Sequence, residues 1–163
     1  MTAAFPRLLG SGLLVLGGAL LGWGRRAELE RRKRCLRGIS NALGRAQWEL
    51  EALQSPLGEL FAHLTDCPFF DLVSAGFGGE PLEELWRRAA RAQPLAAEER
   101  ETLASLGQLL GRCGVQRQSA EIGLVRRTLT QSADALGREI AARARNYPLL
   151  GAALGAIAAA MLY

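Results

Sequence analysis

Core candidates recur with helical spacing through the C-terminal half of the chain. Val115, Gln118, Ile122, Val125, Leu129, Ser132, Leu136 and Ile140 follow one another at steps of three and four that alternate almost throughout. Such steps put all of them on one narrow face of a continuous helix. No proline interrupts that pattern before Pro148, and beyond it the sequence is apolar to its end. A second heptad lies near the N-terminus: Leu29, Leu36, Ile39, Leu43, Ala46, Leu50 and Leu53 form the seam of a helix over Ala27 to Leu53. At about 1.5 Å per residue that helix is about 40 Å long.

Four shorter amphipathic segments separate the two long ones. Ser55-Pro56 closes the first long helix and opens the next, on which Leu57, Leu60, Phe61 and Leu64 form the apolar face. Thr65-Asp66-Cys67-Pro68 ends it, and Phe69 to Ala75 reads as one short helix. Gly76-Phe77-Gly78-Gly79 is a loop; a phosphate-binding reading fails because no strand precedes it and no lysine follows. Pro81 opens a helix with Leu82, Leu85, Trp86 and Ala89 on one face and Glu83, Glu84, Arg87 and Arg88 on another. Gln93-Pro94 breaks it. Leu95 to Gly111 follows, with Leu103, Leu106 and Leu110 inward and Glu98, Glu99 and Glu101 on a solvated first turn, where the helix dipole favours them. The turn Leu110-Gly111-Arg112-Cys113-Gly114 leads into the long C-terminal helix. No segment alternates apolar and polar residues with strand formers, so the expected class is all-α.

The ends of the chain change this picture from a bundle to a membrane-anchored one. Leu8 to Trp23 is uncharged, rich in Leu and Gly, and followed at once by Arg25-Arg26. Extended back to Thr2 it reaches the roughly 17–25 residues a span requires, with Arg7 able to snorkel. A cleaved signal peptide and a buried soluble helix are the rivals; against the first, an arginine pair follows the run where a small-residue cleavage site would stand. Tyr147 to Tyr163 also lacks any charge, follows Arg143 and Arg145, and carries Gly151-x-x-x-Gly155, which suits close helix packing. Burial in a soluble bundle is the alternative there. The basic flanks place both termini outside and the intervening region in the cytoplasm. The expected layout is thus a transmembrane helix at 1–24, a cytoplasmic helical domain at 25–146, and a C-terminal hydrophobic helix at 147–163. The fold expected is a bundle of about six helices, with two long antiparallel helices pairing through their seams and shorter ones packed as a cap or lateral layer.

The net charge of +4 is modest but uneven. Arg25 to Arg45 holds eight basic residues against Glu28 and Glu30. A cytoplasmic flank accounts for it; the alternative is an adaptor gripping anionic lipid or nucleic acid through 25–45. Catalytic, cofactor and metal chemistry find no residues. Cys35, Cys67 and Cys113 are widely spaced free thiols, and His63 is a lone packing or surface histidine. No nucleophile and base can be assembled from these, so no enzyme is expected. One charged cluster remains as a candidate docking patch: Glu80, Glu83 and Glu84, followed by Arg87, although such charge often serves only to solvate a helix.

Leu106-Gly107, Leu110-Gly111 and Gln118, followed by a long amphipathic helix, resemble the stage III sporulation protein AB family of bacteria. The basic helix, the Pro-opened Ser55 to Phe61 segment, the helical Trp86 and the apolar tail extend the likeness over nearly the whole chain. Gly114 stands where that family usually has Asp, the N-cap of the long helix; glycine there costs a few tenths of a kcal/mol. The resemblance implies a membrane component of the sporulation channel complex, on the mother-cell side of the forespore outer membrane. Its members look like the cytoplasmic domains of the platform protein of type II secretion and type IV pilus systems. The partner so implied is a cytoplasmic secretion-type ATPase, with the other subunits of the complex, and nucleic acid is not expected.

Overall fold

A computed structural model describes residues 4–53, 56–64 and 66–162, with side chains over 26–53, 56–64 and 66–144. Among the described residues there are six helices and no strand: α1 Ala4–Ala52, α2 Leu57–His63, α3 Pro68–Gly76, α4 Leu82–Arg91, α5 Ala97–Leu109 and α6 Val115–Leu162. The expected all-α class stands. The expected start of a helix at Ala27 does not, since α1 runs unbroken past the arginine pair. The spans predicted at 1–24 and 147–163 lie outside the residues with described side chains. Among the described residues no helix is long and apolar enough to cross a membrane.

The chain divides into two compact units, Arg32–Gly137 and the pair of terminal segments Met1–Arg31 with Arg138–Tyr163. Within the first unit, α1 and α6 lie antiparallel, as expected. A Cβ on Gly137 would meet Lys33 Nζ at 3.2 Å. Further along, Arg37 pairs with Asp134 at 3.5 Å, Ser40 Oγ lies 2.7 Å from Thr130 Oγ1, and Gln47 donates to Ser119 at 3.2 Å. Residue numbers rise on one helix as they fall on the other. Leu36, Ile39, Leu43, Ala46 and Leu50 are buried from α1, and Ile122, Val125, Leu129, Ala133 and Leu136 from α6.

Departures from the predicted seams occur mostly where the pairing runs out. Leu53 lies just beyond α1 and is 60% exposed, and Val115 opens α6 in solvent. In mid-helix Ala133 takes the buried place expected of Ser132. Both fit the same stripe, because a 3.6-residue turn permits a step of three or four. The apolar methyl is the one turned inward. Ser119 also donates to a carboxylate oxygen of Glu51, and this bond holds the Glu51 carboxyl below its usual range.

The short helices pack as a series: α2 against α3, α3 against α4, and α4 most extensively against α5. Their centre is aromatic. Trp86 is 1% exposed and meets Phe69 edge-on at 4.9 Å, with Phe61 and Phe70 each at 5.7 Å. Rings at these separations add to what burial alone supplies. Leu82, expected inward with them, is only half-buried. Cys67 is buried against the start of α3, and that burial pushes its thiol up.

The chain reverses between α5 and α6 at Gly111, whose φ is +79°. Any L side chain there is strained, and a Cβ would also come within 3.3 Å of Leu57 Cδ1. Gly111→Ala is therefore expected to destabilise the protein by about 1–2 kcal/mol, read as a lowered urea midpoint at unchanged slope. An unaltered midpoint would show that the turn relaxes freely.

Candidate docking surfaces

The charged cluster on α4 begins at Pro81, whose ring pre-sets the helix start, and the buried pair Leu85 and Trp86 turns its other face outward. There the carboxylates are already engaged. Glu83 Oε1 accepts from Arg87 at 2.7 Å and from Gln108 at 3.2 Å, while its Oε2 lies 3.7 Å from Arg112. Glu80 pairs with Arg88 at 2.8 Å. Of the predicted residues, Glu80, Glu83 and Arg87 thus belong to a mixed ion-pair network and not to an acidic field, and Glu84 stands outside it. Glu84 and Arg91 are exposed and make no ion pair among the described residues.

The residues that carry the family pattern are buried or backbone-directed. Leu106 and Leu110 lie in the core. Gly107 lets α5 press against α4, since a Cβ there would stand 2.6 Å from both Cβ and Cγ of Trp86. Trp86 Nε1 in turn donates to the Leu103 carbonyl at 2.6 Å. Gln118 donates through Nε2 to the Cys113 carbonyl, bracing the α5–α6 turn, and its Oε1 is buried with no partner. Together they build the junction of α4, α5 and α6, and they offer little to a partner directly.

Part of the basic segment is committed within the domain. Arg37 pairs with Asp134, and Arg45 with Asp66 at 2.8 Å. Arg32 reaches Glu99 with two parallel bonds, Nε to Oε2 at 2.9 Å and Nη2 to Oε1 at 2.7 Å. The Ala96 backbone N–H also donates to Glu99 Oε2, at 2.8 Å. Glu99, expected on a solvated face, is only 5% exposed. It caps the first turn of α5 and ties that helix to α1.

A groove between α1 and α6 was not expected from the sequence. It encloses about 720 Å³ and is lined by Asn41, Arg45 and Trp48 on one side and Arg126, Arg127 and Gln131 on the other. Trp48 is 62% exposed. The signal was present: Trp48 falls between the seam positions Ala46 and Leu50, on a face otherwise polar. Gly44 forms part of the floor, and a Cβ there would meet Arg126 Nη1 at 3.0 Å, so the arginine lies across the glycine. Among the described residues no three His, Cys, Asp or Glu side chains could hold a metal together.

Comparison with known proteins bears on these surfaces. The sequence pattern of the family described as stage III sporulation protein AB matches residues 7–163. Among solved structures, one described as "Stage III sporulation protein AB (SpoIIIAB)" superposes with a TM-score of 0.60 at 20% identity, covering 68% of this chain and 97% of that one. Its likeness supports the helical fold. No curated protein matches the chain.

Proposed function

The chain belongs to the stage III sporulation protein AB family, and from that premise we propose that it is a non-enzymatic, membrane-held subunit of the sporulation complex. Its helical domain faces the cytoplasm and docks a secretion-type ATPase. One observation carries the anchoring: Lys33 and Gly137 are neighbours, so the chain enters and leaves the Arg32–Gly137 unit at the same end. In the sequence, hydrophobic stretches precede and follow that unit, as two spans of one bilayer would require. The arginines Arg25 and Arg26 after the first apolar stretch, and Arg143 and Arg145 before the second, agree in sign and side.

Docking is assigned to the α4 ridge, which the Pro81 turn and the Trp86 anchor hold rigid. Its uncommitted charges, Glu84 and Arg91, are the ones open to a partner, and exposed charges of this kind act chiefly on encounter and specificity.

Reporter fusions test the anchoring. Fusions at either terminus are expected to be active outside the cytoplasm and one in the Gly76–Gly79 loop inside; an external signal from the loop would reverse the topology. For docking, the full chain in detergent should co-purify with the ATPase of its own complex. Glu84→Arg should reduce the yield several-fold at an unchanged melting temperature. Loss of no yield would move docking off α4, and an ATPase that never co-purifies would remove it as partner.

A further inference from the structure

The groove between α1 and α6 is separate from the α4 ridge, and it has a chemistry of its own. No Asp or Glu lines it. Arg45 is balanced by Asp66, but Arg126 and Arg127 are exposed and make no ion pair among the described residues. Two arginines adjacent in sequence therefore line a concave surface, one of them laid across Gly44. Beside them stands Trp48, the most exposed of the large apolar side chains described. Leu124, also exposed, precedes Arg127 and Gln131 at helical spacings of three and seven, extending the apolar edge along α6. Exposed tryptophan flanked by arginine is the combination most enriched where partners anchor.

We propose that this groove binds an acidic amphipathic helix of a partner protein. A cleft between two antiparallel helices has the width and direction to receive a third, laid with its apolar stripe on Trp48 and its carboxylates on Arg126 and Arg127. Each guanidinium can take a carboxylate with two parallel hydrogen bonds. The shape opposes a lipid surface, since a flat plane of headgroups reaches the rim of a concave site but not its floor. A nucleic-acid duplex calls for a longer array of cations than two free arginines. A second copy of this chain fits poorly as well. Its acidic stretches are interleaved with arginine, as in Glu98-Glu99-Arg100-Glu101 and Glu83-Glu84 before Arg87-Arg88.

The test uses the full chain in detergent, immobilised and offered a displayed library of randomised helical peptides of about 20 residues. Binders that also hold the Trp48→Ala/Arg126→Glu/Arg127→Glu variant are removed. The survivors are expected to be net acidic with one apolar stripe. They should bind at least about tenfold more weakly to Trp48→Ala alone and to Arg126→Glu/Arg127→Glu alone, a loss typical of interface anchors. All three side chains are exposed, so far-UV circular dichroism and the melting temperature should stay unchanged. Survivors that are neutral or basic, or no groove-dependent survivors at all, would overturn the proposal. So would duplex DNA or phosphatidylglycerol vesicles that bind more tightly than the peptides and lose that binding in the same variants. Glu84→Arg serves as the separating control: it should leave peptide binding intact, whatever its effect on the ATPase.

Discussion

Trp86→Ala is expected to lower folding stability by about 3–5 kcal/mol, the usual cost of removing a fully buried tryptophan. The side chain is 1% exposed and touches three phenylalanines. Its loss would also leave the Leu103 carbonyl without its indole donor. The complementary change is Gly107→Ala. A new Cβ at 2.6 Å from Trp86 Cβ and Cγ must push α4 and α5 apart, at a cost of about 1–3 kcal/mol. The two losses should not add. Truncation at Cβ removes the clash with Cγ but leaves the one with Cβ, so Gly107→Ala should cost less in a Trp86→Ala background without becoming neutral. Urea denaturation of the four proteins of this cycle provides the measurement, and fully additive costs would mean that the indole ring contributes nothing to the close approach at Gly107.

Arg32→Ala is expected to cost about 3–5 kcal/mol, and Glu99→Ala clearly less. The asymmetry follows from burial. Glu99 is 5% exposed, whereas the Arg32 side chain is 30% exposed. Removing the arginine strands a carboxylate in the interior with one backbone N–H for company. Removing the glutamate leaves a guanidinium that already has access to water, and what is lost is the pair and the cap on Ala96. Replacing both by apolar residues of similar volume, Arg32→Met with Glu99→Met, should recover much of the stability. Equal costs for the two single alanine variants, read from denaturant midpoints, would show that the pair behaves as a surface bridge.

These two sites also show where sequence reading succeeds and stops. The α1 and α6 seams were legible because burial imprints itself directly on a chain as spacing, and Leu36, Ile39, Leu43, Ile122, Val125 and Leu129 all took their expected places. Trp86 could be placed inward by the same logic. Glu99 could not. In Glu98-Glu99-Arg100-Glu101 several charges surround the helix, and nothing local says which one turns inward; the answer is held by Arg32, distant in sequence. Gly107 carried a family signature with no visible reason until the indole was found against it. The α4 cluster looked acidic because Gln108 and Arg112 had not yet been brought to Glu83. The α1–α6 groove left no trace in the sequence beyond Trp48, for a related cause. A concave surface between two helices depends on which faces meet, and only the buried faces announce themselves in periodicity.

The antiparallel partnership of α1 with α6 sets an order of events during synthesis. The α1 seam is synthesised before its counterpart on α6, which follows about 70 to 100 residues later. At about 5–20 residues per second the leucines of α1 wait on the order of ten seconds for their partner. The intervening helices can meanwhile close around Trp86 through short-range contacts, which form first at the least entropic cost. The newborn chain would then carry a finished aromatic core beside an open apolar strip. That strip stays without its partner until translation reaches Leu136.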